Sequence, residues 1–232
     1  MTEYQGWADT EWMHSVGHGR LDLPKPYYER DGITIYHGDC REVLPTLGPV
    51  DLVLTDPPYG IAHVALHGSN GSKMWGKERV HGDGEAFDPA HLLHFPRLIL
   101  WGANCYAPRL PESAGWIVWN KSPLGPRKGF VYSHSELAWT NLMGHVENVD
   151  LLWEGADRQG ENFLHPTQKP VGLMRQLIER FGGADGVTLD PYMGSGTTLR
   201  AAKDLGHKAI GIEIEERYCE IAAKRLSQEV LL

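Results

Sequence analysis

Val50-Asp51-Leu52-Val53-Leu54-Thr55 runs directly into Asp56-Pro57-Pro58-Tyr59. An apolar run of this length, stopped by a pair of prolines, reads as a buried strand with an abrupt end. Neither proline donates a backbone hydrogen bond, and each ring fixes φ, so the turn is stiff. It holds an acid and an aromatic ring at the carboxyl end of a strand, which in open α/β sheets is where ligands bind. The chemistry suits a planar exocyclic amine, a poor nucleophile because its lone pair is delocalised into the ring. Asp56 can accept one N–H of such an amine and the Pro57 carbonyl the other. Together they would draw the nitrogen toward tetrahedral geometry and localise its lone pair. Tyr59 can stack on the face of the same ring. An ordinary strand-ending turn with a surface aspartate looks the same over four residues, so the remaining chain decides between the two.

A second strand-turn-helix unit lies far along the chain. Val187-Thr188-Leu189 delivers Asp190 to the turn Pro191-Tyr192-Met193-Gly194-Ser195-Gly196, and a helix starts at Thr197-Thr198. The glycines let the backbone approach a ligand, and the helix start offers unpaired N–H groups. Glu213 ends the next strand, Ala209-Ile210-Gly211-Ile212, where a carboxylate commonly binds ribose hydroxyls. The Gly-x-x-x-x-Gly-Lys phosphate loop is missing, and Leu199 stands where the dinucleotide pattern Gly-x-Gly-x-x-Gly needs its last glycine. The turn therefore favours a nucleoside without a phosphate tail, a description that S-adenosylmethionine fits.

Strands and helices alternate over most of the chain. Residues 1–31 have no clear period and are expected to form an amino-terminal arm or cap, leaving 32–232 as the main domain. Strands are expected at 32–36, 98–101, 116–119 and 136–139, with a short helix around Val43 and Leu44 and another at 87–93. Pro170 opens a helix whose apolar stripe is Leu173, Met174, Leu177, Ile178 and Phe181, and Gly182-Gly183 closes it. A helix is expected at 197–205, and the last one carries Tyr218, Ile221, Ala222 and Leu226 on one side. This alternation predicts an α/β fold with a largely parallel sheet. Asp39, Asp56, Asp190 and Glu213 then all fall at the carboxyl ends of strands, where they can line one cleft.

Composition narrows the classes. With 232 residues, 41% of them hydrophobic and 22% charged, the chain is expected to be one generous soluble domain, or a core with a small appendage. It shows no run of about 18 apolar residues and no charged-then-apolar leader, which sets membrane and secretory readings aside. Cys40, Cys105 and Cys219 are odd in number and far apart, as reduced cytosolic thiols would be. None follows a proline, so the Pro-Cys nucleophile of a cytosine-C5 methylase is absent. His63 and His67, like His14 and His18, have helical ligand spacing, but no further ligand completes a set and no metal is expected. The net charge of −8 hides local basic stretches. Lys121, Arg127 and Lys128 lie in the acid-free segment 120–135, and between Lys73 and Arg79 in the long loop 60–84 Lys73, Lys77 and Arg79 face only Glu78. Such a face can hold phosphates.

Asp56-Pro57-Pro58-Tyr59 and Asp190-Pro191-Tyr192-Met193-Gly194-Ser195-Gly196-Thr197-Thr198, with His165-Pro166-Thr167-Gln168-Lys169-Pro170 before the latter, resemble the DNA amino-methyltransferases. The catalytic motif precedes the cofactor motif, an order that resembles the β group, which modifies adenine N6 or cytosine N4. The match covers about residues 32–228. It implies the seven-stranded, mostly parallel Rossmann-like methyltransferase sheet with circularly permuted motifs, and S-adenosylmethionine as cofactor. Asp56, Pro57, Pro58 and Tyr59 would form the catalytic turn. Asp190, Tyr192, Gly194, Ser195, Gly196 and Thr197 would surround the methionine part of the cofactor, Glu213 would hold its ribose and Asp39 would meet its adenine. His165, Thr167 and Lys169 would lie near its carboxylate.

The short segment between the motif groups leaves little room for a separate recognition domain, so the loops 60–84 and 120–135 would contact DNA. Aspartate in first place leans toward N6-adenine in double-stranded DNA, because many N4-cytosine members carry serine there. N4-cytosine remains the nearest alternative. An RNA or protein methyltransferase and a catalytically silent DNA-binding module follow. The resemblance further implies a restriction-modification setting, the cytoplasm of a bacterium or phage-infected cell, and room for a homodimer whose surface the sequence does not locate.

Overall fold

Leu52, Val53 and Leu54 are each fully buried because the sheet they enter is covered on both faces. The computed structural model describes residues 24–60, 81–123, 125, 133–153 and 168–228. In chain order the elements are β1 (Tyr28–Arg30), β2 (Ile33–His37), α1 (Cys40–Val43), β3 (Leu52–Thr55), β4 (Leu98–Trp101), β5 (Trp116–Asn120), β6 (Ser135–Thr140) and β7 (Val146–Asp150). The carboxyl-terminal part adds α2 (Val171–Phe181), β8 (Val187–Asp190), α3 (Thr197–Asp204), β9 (Lys208–Glu213) and α4 (Glu216–Ser227).

The strands form one sheet in the order β1-β2-β9-β8-β3-β4-β6-β5-β7. From β2 to β4 every neighbour is parallel. β6 reverses against both β4 and β5, and β7 runs parallel to β5 at the far edge. This is an α/β Rossmann-like sheet whose seven strands from β2 to β5 are extended by one strand at each edge. Alternating side chains separate the two halves of the core. Leu52, Leu54, Ile99 and Trp101 join Leu173, Leu177, Leu199, Ala202, Ala222 and Leu226 of α2, α3 and α4 on one face. Val53, Leu98, Leu100 and Leu189 face the other way, toward Val43, Leu44, Phe87, Leu92 and Tyr106.

Three local expectations change. Residues 87–93 form no helix: Leu92 N donates to Pro89 O and Phe95 N to Leu92 O, bonds of a tight turn between Pro89 and Pro96. A helix so short, bounded by two prolines, has little room to propagate. β1 and β7 add the two edge strands. Neither shows the apolar alternation of a strand, since β1 is partly or fully exposed and only Val149 of β7 is buried. Pairing with β2 and β5 makes them strands, and pairing leaves no mark on local composition.

Removing the Leu54 side chain would open a void between β3 and the α2–α4 layer. Leu54→Ala should destabilise the fold by about 2–5 kcal/mol, read as a lower urea midpoint with an unchanged circular dichroism spectrum before unfolding. An unchanged midpoint would contradict this account of the core.

Candidate active site

Four parallel strands end side by side. Register pairs His37 of β2 with Glu213 of β9, Asp190 of β8 with Gly211 of β9, and Val53 of β3 with Leu189 of β8. Asp39, Glu213, Asp190 and Asp56 therefore share one edge of the sheet. Thr55, the last residue of β3, donates its hydroxyl to Asp190 Oδ1 at 2.6 Å and ties the two turns together. Asp190 also accepts from Tyr192 N at 3.2 Å. Burial raises its carboxyl to about 6, against the pull of the Thr198 and Thr55 hydroxyls.

The turn after β3 is held from several sides. Tyr59 donates its hydroxyl to Asp56 Oδ1, and Lys169 Nζ donates to Asp56 Oδ2 at 2.6 Å and to the Tyr59 oxygen at 2.9 Å. The Tyr59 ring rests on Gly102, whose φ of +66° suits glycine and where a Cβ would lie 1.9 Å from the ring. Gly60, the next residue, donates its amide to buried Asp83 at 2.8 Å, which fastens the returning end of the long loop to the turn.

Behind Asp56 runs a chain of alternating charge. Lys169 Nζ lies 3.0 Å from Glu136 Oε2, and the other Glu136 oxygen accepts from Lys121 Nζ. The Lys169 side chain is 5% exposed. Its burial opposes the charge, but Asp56 and Glu136 more than reverse this and hold the ammonium well above the ordinary lysine range. Burial likewise opposes the Glu136 charge, and the ammoniums of Lys169 and Lys121 bring its carboxyl down to about 2. Burial lifts Asp56 above its ordinary value, and the adjacent ammonium limits the lift. Tyr59 is pushed well above the usual range by burial and by the Asp56 charge, so its hydroxyl stays a donor.

The glycine turn is braced by its own acid. Glu213 accepts from Gly194 N at 3.0 Å and Glu215 N at 2.9 Å. Gly196 begins α3 with a φ of +77°, and a Cβ there would meet Ala222 of α4 at 2.9 Å. Ser195 Oγ lies 3.5 Å from Gln168 Oε1, which joins this turn to the segment carrying Lys169. Thr197 turns its hydroxyl to Arg225 at 3.2 Å, toward α4. Tyr192 lies 2.8 Å from His91 through its hydroxyl and meets the Phe87 ring edge-on. Asp39 caps α1 by accepting from Arg41 N at 2.9 Å. These groups suit a phosphate-free nucleoside bearing a cation and a carboxylate. Acids along the strand ends attract the cation, and the amino end of α3 favours the carboxylate.

Most of the expected site residues among those described come together here, but two lysines are used differently from expectation. Lys121 was expected on the phosphate-facing surface. It is 15% exposed, paired with Glu136 and 5.0 Å from the centre of the Trp119 ring. The acid-free stretch 120–135 ends one residue before the acid that holds it, and cross-strand register sets Glu136 opposite Trp119. Lys169, expected beside a cofactor carboxylate, is committed instead to Asp56 and Glu136. His165, Thr167, Lys73, Lys77, Arg79, Arg127 and Lys128 lie outside the described residues. Glu136, Gly102 and His91 are site neighbours that no motif announces. A glycine just past the end of a strand was the one local sign of Gly102.

Residues 143–224 match the N6/N4 DNA methylase family, a span that holds the glycine turn but not Asp56. Type II methyltransferase M2.LlaDCHI of Lactococcus lactis subsp. cremoris is 28% identical over 93% of this chain and 97% of its own. The fold is similar to that of M1.HpyAVI in a crystal structure with SAM, at 24% identity, a TM-score of 0.54, and coverage of 84% of this chain and all of that one. It is also similar to PvuII DNA methyltransferase, titled cytosine-N4-specific, at 18% identity, a TM-score of 0.57, and coverage of 90% of this chain and 91% of that one. The chain, with its paired turns at one sheet edge, is thus similar to the N6/N4 DNA methylase family over residues 143–224 and to a Type II methyltransferase over most of its length.

Proposed function

We propose that this protein transfers the methyl group of S-adenosylmethionine to the exocyclic N6 amine of adenine in double-stranded DNA. The observation that carries the proposal is the Thr55–Asp190 hydrogen bond, which fixes the proline turn beside the glycine turn and so sets an amine-holding group next to a nucleoside pocket. The target amine is enclosed in the duplex, so the base must be flipped into the cleft. Asp56 and the Pro57 carbonyl accept its two N–H bonds and orient the lone pair, while Tyr59 packs at the ring.

Bound S-adenosylmethionine supplies a sulfonium methyl, whose C–S bonding pair stays on sulfur as the new N–C bond forms. The nitrogen then sheds one proton, and Asp56 stands beside it as acceptor. Positioning provides much of the rate. In this reading Asp190, Tyr192, Gly194, Ser195, Gly196 and Thr197 shape the pocket, Glu213 serves the ribose and Asp39 the adenine. Lys73, Lys77, Arg79, Arg127 and Lys128 are assigned to phosphates from charge pattern alone. The SAM complex of M1.HpyAVI supports this donor, and the match to the DNA methylase family supports a DNA acceptor. N4-cytosine is the second reading, favoured by the fold similarity to the cytosine-N4-specific PvuII enzyme.

Three outcomes are expected. Incubation with labelled S-adenosylmethionine and unmethylated DNA, followed by nucleoside mass spectrometry, should give N6-methyladenosine. N4-methylcytidine would replace the base while keeping the reaction. Asp56→Ala should lower methyl transfer at least about 100-fold while cofactor binding by calorimetry persists, and near-normal turnover would refute the role of Asp56. The third concerns Asp190, which ionises at about 6 in the folded protein against an ordinary 3.8. Between those values the folded state holds a proton that the unfolded chain has released. Ionisation therefore removes stability as pH rises from about 4 to 6, about 3 kcal/mol in full. Asp190→Asn escapes this loss, so it should unfold at higher urea than the parent at pH 8, and the advantage should vanish near pH 4. Its cofactor binding should weaken. A variant less stable than the parent at pH 8 would overturn this account.

A further inference from the structure

The Lys169 ammonium donates to Asp56 Oδ2 at 2.6 Å and to the Tyr59 oxygen at 2.9 Å, and it lies 3.0 Å from Glu136 Oε2, a buried oxygen that no hydrogen bond among the described residues satisfies. It therefore shares the carboxylate that, in the function proposed above, receives an N–H of the target amine. Asp56 Oδ1 is already engaged by the Tyr59 hydroxyl. An amine attacking a methyl group gains positive charge on nitrogen, and a cation against the same carboxylate would oppose that charge. Each Asp56 oxygen keeps a second lone pair, so an amine can approach, but the charge on nitrogen develops more easily once the ammonium withdraws.

Among the described residues, Lys169 pairs with two carboxylates, and Glu136 is the one that is not in the proline turn. Glu136 projects from β6, a strand inside the sheet, and its second oxygen is anchored by Lys121, the residue that follows neighbouring β5. It is thus held in place when Lys169 shifts. We propose that Glu136 is a positioning residue: Lys169 holds the place of the target amine on Asp56, and Glu136 receives the ammonium when the amine arrives. The inference rests on the reading that Asp56 holds the amine. Burial favours the hand-over in place of loss of the lysine proton, because the ammonium passes from one carboxylate to another without being left unpaired.

The test is single-turnover methylation at saturating DNA and S-adenosylmethionine, with cofactor affinity measured by calorimetry. Glu136→Gln keeps the shape but removes the charge that draws Lys169 off Asp56. It should slow transfer about 10- to 100-fold, with cofactor affinity unchanged within about two-fold. Glu136→Asp, which restores the charge, should recover most of the rate. Combining Glu136→Gln with Lys169→Met removes the ammonium that would otherwise remain on Asp56. In that background Glu136→Gln should cause no further loss relative to Lys169→Met alone, a non-additivity that a merely structural role would not produce. Normal transfer by Glu136→Gln would overturn the inference. So would equal impairment of Gln and Asp variants, or additive losses in the double variant. Normal transfer by Asp56→Ala would instead remove the underlying reading, so the two failures are distinct.

Discussion

The parallel pairing of β3 with β8 is the constraint on which the rest depends. It joins segments 135 residues apart, and the hydrogen bond from Thr55 to Asp190 closes the junction. A buried hydroxyl on a buried carboxylate leaves little freedom, because an unmade bond there would strand a desolvated acceptor. The two turns that follow are then fixed relative to each other before any ligand binds. Such pre-organisation supplies geometry without a cost at the moment of reaction.

The covered sheet makes this possible. Both faces of β3 and β4 are buried, so the strand ends sit on a stiff platform while the connecting segments remain free to diverge. The glycines near the site serve close approach more than flexibility. Gly102 gives the Tyr59 ring its resting place, and Gly196 brings the start of α3 against Ala222. In both cases the missing side chain is the structural feature, since any Cβ would displace the element packed there.

Charge is organised differently at the two turns. At the glycine turn, backbone amides of Gly194 and Glu215 satisfy Glu213, and burial lifts Asp190 toward neutrality. At the proline turn, two lysines and two acids alternate from Lys121 to Asp56. A buried chain of this kind is weak evidence for stability, because desolvation offsets much of the attraction. Its retention beside Asp56 is easier to understand as control over what that carboxylate can accept.

The sequence by itself determined the elements whose signals are local. The unbroken apolar run before Asp56, the proline-to-glycine boundaries of α2 and the glycine turn after β8 each carry their structure in consecutive residues. So do the four acids that close parallel strands, since a shared edge follows from the alternation of strand and helix. Tertiary structure alone decided the polar edge strands β1 and β7, which owe their form to a partner strand. It also decided the fate of Lys121 and Lys169. Composition shows a lysine as a surface charge by default; the β5–β6 register brings Glu136 within reach of Lys121, and the packing of the segment before α2 brings Lys169 to it. Pairing across a sheet depends on residues distant in the chain, and for that reason the sequence pattern reveals the turn but not the charges behind it.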